Sequence, residues 1–273
     1  MGIKSLWQED VVRAFEAFGI KLSDADSGKY TLLSFDGKNL VINLVSLNND
    51  YEPEELLRLQ DLYLQEDVKL IQLWEDIWAT RSTQVIGRVK SLLGLNKRIH
   101  ARKTRVMAIS QDQAAVFLEV NHIQASARSK YRFALTAGEE MVAVACFSGL
   151  RLMKHSRPAG YRSAEVIRFA SLSGFTVTGG FSKLLKHFIA QLAPNDIMSY
   201  ADRDWSNGRV YEQAGFEQVS VTPPSEIYVH PQSLIRYFPH RLPGQAGIIS
   251  TDVPDHDFIK VFNTGNLKYI YYL

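Results

Sequence analysis

Residues 199–216, SYADRDWSNGRVYEQAGF, bring polar side chains together between an apolar segment and the aromatic start of a helix. Asp202, Arg203 and Asp204 cluster at the end of a predicted strand, where open α/β sheets place their ligands. A carboxylate in that position could accept a proton from an amine. The same residues could instead form a surface ion-pair network around Arg203, so the sequence leaves both interpretations open.

A second run whose residues could take part in chemistry is VTGGFSKLLKHF, at residues 177–188. Gly179 and Gly180 end a strand and allow backbone N–H groups to face an anion, and the helix that begins near Ser182 adds a favourable dipole. Lys183 adds positive charge. The run predicts a cradle for a pyrophosphate, although a Gly-Gly pair at a strand-helix turn is explained equally well by backbone geometry alone.

The net charge of +2 conceals a strong segregation along the chain. Residues 1–78 hold 7 Lys/Arg and 15 Asp/Glu, whereas residues 79–162 hold 15 Lys/Arg and 4 Asp/Glu. The basic centre includes Arg98, Arg102, Lys103 and Arg105. Such density predicts a polyanionic partner, with nucleic acid first and a nucleotide cofactor second. A solvated basic helix face is the alternative.

Further polar side chains extend the predicted nucleic-acid surface. Arg157 lies in a basic Pro- and Gly-containing loop at residues 151–162, and Arg168 interrupts the apolar run EVIRFAS, which makes it a candidate for a fixed anionic contact. His122 and Gln124, in NHIQAS, could bind a base edge or a substrate carbonyl. A helix-terminal histidine bonded to its own backbone is the competing interpretation of His122.

Length and composition limit the class of protein. At 273 residues the chain exceeds one usual domain, and an apolar fraction of 46% is ample for two cores. No apolar run reaches the roughly 18 residues that a membrane span needs, which favours a soluble, cytoplasmic protein. The single cysteine, Cys146, excludes a disulfide framework and a cysteine-based zinc site, and its apolar surroundings indicate a buried thiol.

The elements that position these residues divide into two predicted domains, 1–98 and 99–273. The first contains a helix at residues 5–18, a hairpin that turns at Asp36-Gly37, a helix from Pro53, a buried strand VKLIQLW and a second helix at residues 80–93. The second begins with a strand, a helix and two paired strands. A further strand, a Gly turn, a helix, a strand, a helix and a strand follow, and a final hairpin is expected around residues 263–265.

This order of elements resembles the acyl-CoA N-acyltransferase (GNAT) fold. In that family a polar residue follows the fifth strand, an Asn introduces a helix whose Tyr reaches the thioester, and Gly-Phe closes the helix. The matching positions here are Asp202, Asn207, Tyr211, Gly215 and Phe216. The resemblance implies acetyl-CoA or another acyl-CoA as cofactor. The implied residues are Tyr211, Asp202 and His122 for catalysis, and Gly179, Gly180, Ser182, Lys183 and Asn207 for cofactor binding.

The order of the motifs also resembles phage and mobile-element proteins in which a very-short-patch-repair-like homing-endonuclease domain of the PD-(D/E)XK type precedes an acyltransferase-like domain. The motifs are IHARKTRV, NHIQAS, EVIRFAS, VTGGFSKLLKHF, residues 199–216, TPPSEIYV and VFNTGNLKY. The nuclease half departs from the family pattern, because Asn43 replaces the metal-binding Glu, and Leu32, Leu56 and Leu59 occupy the Asp, His and Lys positions. A carboxamide cannot replace a carboxylate at a Mg²⁺ site, so this half is expected to be a degenerate nuclease that binds no metal.

We therefore expect an α/β (α+β) protein, with a small restriction-endonuclease-like domain followed by a GNAT-like mixed-sheet domain. The resemblance and the charge favour an acyltransferase directed to DNA or to a DNA-linked amine. The alternative is a non-catalytic DNA-binding protein derived from a homing endonuclease.

Overall fold

The computed structural model describes residues 6–17, 22–24, 28–154, 158–239, 242 and 258–273. The elements in chain order are α1 (Leu6–Ala17), β1 (Leu22–Asp24), β2 (Leu32–Phe35), β3 (Leu40–Val45), α2 (Pro53–Gln65), β4 (Lys69–Trp74), α3 (Glu75–Leu92), β5 (Lys97–His100), a 3-10 turn (Ala101–Lys103), β6 (Arg105–Ala108), α4 (Gln111–Asn121), β7 (Tyr131–Ala137), β8 (Glu140–Phe147), β9 (Arg151–Leu152), β10 (Arg162–Ser171), β11 (Phe175–Thr178), α5 (Gly180–Leu192), β12 (Asp196–Asp202), α6 (Arg209–Gln213), β13 (Glu217–Val221), β14 (Ser225–Val229), β15 (Arg236–Tyr237), β16 (Ile259–Asn263) and β17 (Asn266–Tyr272).

The chain forms two compact units, and both are discontinuous in sequence. Unit 1 contains Met1–Ser82, Asp202–Asn207 and Val221–Asn266, and unit 2 contains Thr83–Ala201, Gly208–Ser220 and Leu267–Leu273. This grouping differs from the predicted linear division after residue 98. The physical reason is a shared core, because Ile227, Val229 and Val261 pack with Val45 and Trp74, far away in sequence.

Unit 1 is built on the sheet β1-β2-β3-β4. β2 and β3 form the predicted antiparallel hairpin, and β3 pairs in parallel with β4 after the crossover helix α2. α2 begins at Pro53, as the sequence predicts. All six residues of β3 are buried, which explains why its sequence is an unbroken apolar run except for Asn43.

Unit 1 also holds the sheet β15-β14-β16, and here the predicted C-terminal hairpin is wrong. β16 pairs with β14, whereas β17 joins the large sheet of unit 2. Between them, the Asn263 Oδ1 accepts hydrogen bonds from the N–H groups of Ser225 (3.0 Å) and Gly265 (3.1 Å), and Thr264 donates to Asp204. These hydrogen bonds between distant segments keep β16 and β17 from pairing as a hairpin. The local sequence does not indicate them.

Unit 2 is built on a mixed sheet of order β13-β17-β12-β10-β8-β7-β6, with β9 beside β10. The strands from β6 to β10 pair antiparallel, and β10 pairs with β12 in parallel. Phe188 of α5 packs with Phe133 and Phe147 on one face of the sheet, while α4 covers the other face, which carries Cys146. The expected α+β class with a mixed sheet in the second half of the chain is confirmed.

The two central parallel strands pair over a short distance only. Their register runs from Ser163↔Asp196 to Glu165↔Met198, although β10 continues to Ser171 and β12 to Asp202. Directly beyond this ladder, β10 shifts register against β8 between Val166 and Arg168. A bulge of this kind bends its strand, so β10 and β12 part at the centre of the sheet.

Among the helices that the structure describes, none is long and apolar enough to cross a membrane.

The start of α6 generates a stability prediction. Gly208 has φ +77, and a Cβ at this position would collide with the hydroxyl and ring of the fully buried Tyr269. Gly208→Ala should therefore lower the free energy of unfolding by about 3 kcal/mol, through backbone strain and displacement of the ring. Urea denaturation followed by circular dichroism measures the change.

The matched control is Gly138→Ala, at the turn between β7 and β8. Gly138 also has positive φ (+64), but nothing lies within 4 Å of the added Cβ. Its cost should be only about 1 kcal/mol, from the left-handed backbone alone. Equal effects of the two substitutions would contradict the packing of Tyr269 on Gly208.

Candidate functional site

The point at which β10 and β12 part is bridged by side chains rather than by backbone. Ser199 Oγ, on β12, donates to the carbonyl oxygen of Val166 on β10 (3.1 Å) and lies 2.9 Å from the hydroxyl of Tyr211 on α6. A serine has one hydroxyl proton, and the carbonyl oxygen accepts it. The Tyr211 phenol therefore donates its own proton to Ser199 Oγ.

The Tyr211 ring lies in an aromatic cluster. Its centroid is 5.6 Å from that of Phe181, 5.4 Å from Phe216 and 5.4 Å from Tyr269, and Phe169 packs on Phe181 at 5.1 Å. Burial raises the pKa of Tyr211. The phenol is therefore protonated at neutral pH and can serve as a proton donor but not as a base.

Three charged side chains interact electrostatically with the Tyr211 phenol: Arg168, Arg88 and Glu165. The Arg168 guanidinium donates to the carbonyl oxygens of Ile167 (2.8 Å), inside the bulge, and Ala125 (3.3 Å). The Oε2 atom of Glu165 lies 3.9 Å from Nη2 of the exposed Arg151. The sequence pointed to Tyr211 and Arg168. The sequence analysis did not single out Arg88, because an electrostatic interaction between residues far apart in sequence leaves no local signal.

The predicted cradle lies at the start of α5. Gly179 is the N-cap residue in the left-handed conformation (φ +75), and no side chain caps the helix. In an α-helix the N–H groups of the first turn have no acceptor inside the helix, which is the feature by which helix N-termini bind anions. The Lys183 ammonium is committed elsewhere, since it donates to the carbonyl oxygens of Ala101 (2.9 Å) and Thr104.

This lysine ties the basic segment 97–105 to the cradle. β5 pairs in parallel with β11, which leads into α5, and the Cβ of Ala101 lies 3.7 Å from the position of a Cβ on Gly179. The exposed side chains of this segment are Lys97, Arg98, His100, Arg102, Lys103 and Arg105. The structure therefore brings the predicted cofactor-binding glycines and the predicted nucleic-acid-binding cations to one end of α5.

Four other predicted site residues are His122, Asp202, Asn207 and Arg157. His122 Nδ1 lies 2.9 Å from the carbonyl oxygen and 3.0 Å from the backbone nitrogen of Gln124, two residues further on, so the local interpretation of this histidine accounts for its geometry. Asp202 and Asn207 belong to unit 1, whereas Tyr211 and the cradle belong to unit 2. Arg157 lies outside the described residues. Catalytic and binding roles for these four residues stay predictions.

In unit 1, the positions compared with a nuclease site form a buried polar pair in an apolar setting. Asn43 donates to Gln72 Oε1 on the neighbouring strand (2.9 Å), and Gln72 donates to the Leu56 carbonyl oxygen (3.3 Å). Leu32, Leu56 and Leu59 are core residues. Among the described residues, no three His, Cys, Asp or Glu side chains are grouped to hold a metal ion. The nuclease ancestry of this unit stays a prediction.

The two acids after β4 have structural partners. Glu75 accepts the N–H of Leu47 (2.9 Å), and the fully buried Asp76 forms a two-point ion pair with Arg236 (2.5 and 2.8 Å). A bidentate arginine occupies both oxygens of this carboxylate. Asp76 therefore joins the strand end to β15 inside unit 1.

Asp204 is a second buried acid of unit 1, with 2% of its surface exposed. Its Oδ1 accepts hydrogen bonds from the Thr264 N–H (3.0 Å) and hydroxyl (2.6 Å). Burial, and then the charge of Asp202, raise the pKa of Asp204 to about 7. Its neighbour Arg203 forms an ion pair with Asp61 (3.3 Å), as expected for the ion-pair interpretation of this polar run.

No protein-family model and no curated protein matches the sequence. Similar solved structures include the ribosomal-protein-S18-alanine N-acetyltransferase from Escherichia coli, at 13% identity and a TM-score of 0.38, over 62% of this chain and 93% of that one. A GNAT family acetyltransferase from Elizabethkingia anophelis with acetyl-CoA bound is similar at 10% identity and a TM-score of 0.36, over 63% and 99%. A Bacillus subtilis acetyltransferase in complex with CoA is similar at 14% identity and a TM-score of 0.36, also over 63% and 99%. Such identities and TM-scores carry no information about activity or substrate.

The raised pKa of Asp204 generates a prediction for the pH dependence of stability. The folded-state pKa of about 7 lies above the value of about 3.9 in an unfolded chain, so folding favours the protonated acid. The free energy of unfolding should therefore fall as pH rises from about 4 to about 7. Asp204→Asn keeps an acceptor for Thr264 and removes the titration.

Urea titrations at pH 5.0 and 7.5 measure this effect. From pH 5.0 to pH 7.5, the free energy of unfolding of the native protein should fall by about 1–3 kcal/mol more than that of Asp204→Asn. Parallel pH profiles for the two proteins would show that Asp204 titrates normally in the folded state.

Proposed function

We propose that unit 2 is an acyl-CoA-dependent N-acyltransferase whose transfer step takes place where β10 and β12 part. The observation that supports this most directly is the bridge Tyr211–Ser199–Val166, which places a protonated phenol between the diverging strands. Acyl transfer from a thioester requires such a donor, because the departing thiolate must receive a proton.

The other requirements of the reaction have candidates close by. Glu165 lies at the last paired position before the strands part, and it interacts electrostatically with Tyr211. Its carboxylate is our candidate for the base that removes a proton from the attacking amine. The register shift after Val166 interrupts the ladder, and backbone N–H groups at an interrupted ladder are available to polarise a thioester carbonyl.

The donor set at α5 fits the phosphates of coenzyme A. Uncapped N–H groups of the first turn would hold the pyrophosphate, and Arg102 and Lys103 add exposed positive charge at the same end of the helix. When bound, the cofactor supplies an activated acyl thioester. Lys183 acts here as a tie between the helix and residues 101–104 rather than as a phosphate ligand.

The acceptor that we propose is DNA or a DNA-linked amine, in a protein of phage or mobile-element type. This finer proposal is supported by the exposed cations of residues 97–105, a segment without a single carboxylate. The same observation favours a second candidate function, non-catalytic DNA binding. The two differ in whether an acyl group moves, since both require nucleic acid on this surface.

Calorimetry and acyl-transfer assays test the first proposal. Acetyl-CoA should bind saturably, and Arg102→Glu combined with Lys103→Glu should weaken it by about 10-fold or more, because two cations become anions near the phosphates. Lys38→Glu, an exposed lysine of unit 1, is the control and should leave affinity unchanged. An absence of binding heat in the native protein would refute the proposal.

Tyr211→Phe separates chemistry from binding. It should bind acetyl-CoA normally and slow transfer to an amine-modified oligonucleotide by about 100-fold, since a general acid is removed. Release of free CoA thiol measures the rate. Undiminished transfer by a folded Tyr211→Phe protein would exclude the phenol as proton donor.

Fluorescence anisotropy with a labelled DNA duplex tests the second candidate. Affinity should fall steeply between 50 and 200 mM salt, and the triple variant Arg102→Ala, Lys103→Ala, Arg105→Ala should reduce the slope of log K against log salt by about 2–3. Free CoA should compete with DNA for the native protein if both use this end of α5. Binding independent of salt would remove the DNA proposal.

A further inference from the structure

Arg88 lies on a helix segment that is tightly fixed inside unit 2. Its neighbours Val85 and Val89 are fully buried, and Gln84 Nε2 donates to the Glu119 carbonyl oxygen (2.8 Å). At Gly87 an added Cβ would lie only 2.9 Å from Ser173 Oγ, so the helix approaches the loop after β10 as closely as a glycine permits. Arg88 shares a face with Val85, three residues earlier, and is itself half-buried.

The Arg88 guanidinium has no hydrogen-bond or ion-pair partner within the part of the chain that the structure describes. Burial lowers its pKa, and the other group that influences it is the Tyr211 phenol. A half-buried cation that has no counter-charge among the described residues loses part of its hydration, which costs free energy, and folded proteins normally pair such a cation. An anion that arrives from outside the chain would supply the missing partner.

Arg168, on the bulged strand, also interacts electrostatically with the Tyr211 phenol. Its guanidinium is oriented by the carbonyl oxygens of Ile167 and Ala125. Two arginines around one proton donor form a donor set that suits a planar carboxylate, because each guanidinium offers a fork of N–H groups. A DNA backbone is better served by the exposed cations of residues 97–105 than by a half-buried side chain on a docked helix.

We propose that Arg88, together with Arg168, binds a carboxylate that one of the two substrates carries close to the transferred acyl group. This inference rests on the acyltransferase function proposed above and narrows its substrate class. The carboxylate has two possible sources, an acyl donor derived from a dicarboxylic acid or an amine acceptor of the amino-acid type.

Two arms of one experiment distinguish the sources, each performed on the native protein and on Arg88→Met, which keeps the apolar stem. In the donor arm, calorimetry compares succinyl-CoA with acetyl-CoA. In the acceptor arm, thermal shift of the CoA-loaded protein compares the common amino acids with amines that lack the carboxylate. In one arm the carboxylate should strengthen binding by about 10-fold or more in the native protein, and Arg88→Met should abolish that gain. Lys90→Met, two residues further along the helix and on another face, should retain it.

Stability supplies an independent readout. Because Arg88 is half-buried and has no counter-charge among the described residues, Arg88→Met should unfold at the same or a higher urea concentration than the native protein. Loss of an arginine that stabilises the fold would instead lower the urea concentration at the midpoint. The inference is overturned if Arg88→Met lowers the midpoint, or if neither arm distinguishes it from the native protein while acetyl-CoA still binds. If no CoA thioester binds the native protein, the proposed function fails as well.

Discussion

The separation of β10 and β12 is the constraint on which the candidate site depends. Two adjacent parallel strands normally satisfy each other's backbone groups along their whole length, but here the ladder lasts three residue pairs. The Val166 carbonyl oxygen is satisfied by a serine hydroxyl instead, and that serine in turn accepts the Tyr211 proton. A single hydroxyl therefore holds the strands, the phenol and the start of α6 in one geometry. The aromatic rings around Tyr211 complete this arrangement, since they exclude water from the phenol and keep it protonated.

The positively charged side chains of the candidate site differ in how far they are buried. Exposed cations of residues 97–105 lie at the end of α5, where uncapped N–H groups are suited to phosphate, and they remain hydrated when nothing is bound. Arg88 is half-buried near the phenol and has no protein anion to pair with among the described residues. The exposed cations keep their hydration, whereas the half-buried Arg88 keeps only part of it. This difference in burial is expected if the exposed cations of residues 97–105 attract a polyanion over a distance, whereas Arg88 contacts one particular anionic group.

The sequence predicted those parts of the molecule that local chemistry determines. The Asp36-Gly37 turn, the Pro53 helix start and the two glycines at the start of α5 follow from turn residues and apolar runs. The mixed sheet of unit 2 was expected from the resemblance. Tyr211 was identified by its position in a resemblance, and its role stays a prediction. The discontinuous units, the separate destinations of β16 and β17, and Arg88 were not predicted. Each depends on contacts between residues far apart in sequence, such as Thr264 with Asp204, which no periodicity records.

The central claim is that a single acyl-CoA molecule binds both at the uncapped end of α5 and beside Tyr211. The most direct measurement is a crystal structure of the protein with CoA bound. The account predicts pyrophosphate oxygens within hydrogen-bond distance of the N–H groups of Gly180, Phe181 or Ser182, and the CoA sulfur beside the Tyr211 hydroxyl. A CoA molecule bound elsewhere, with the rings of Phe181 and Phe216 still closed over Tyr211, would contradict it.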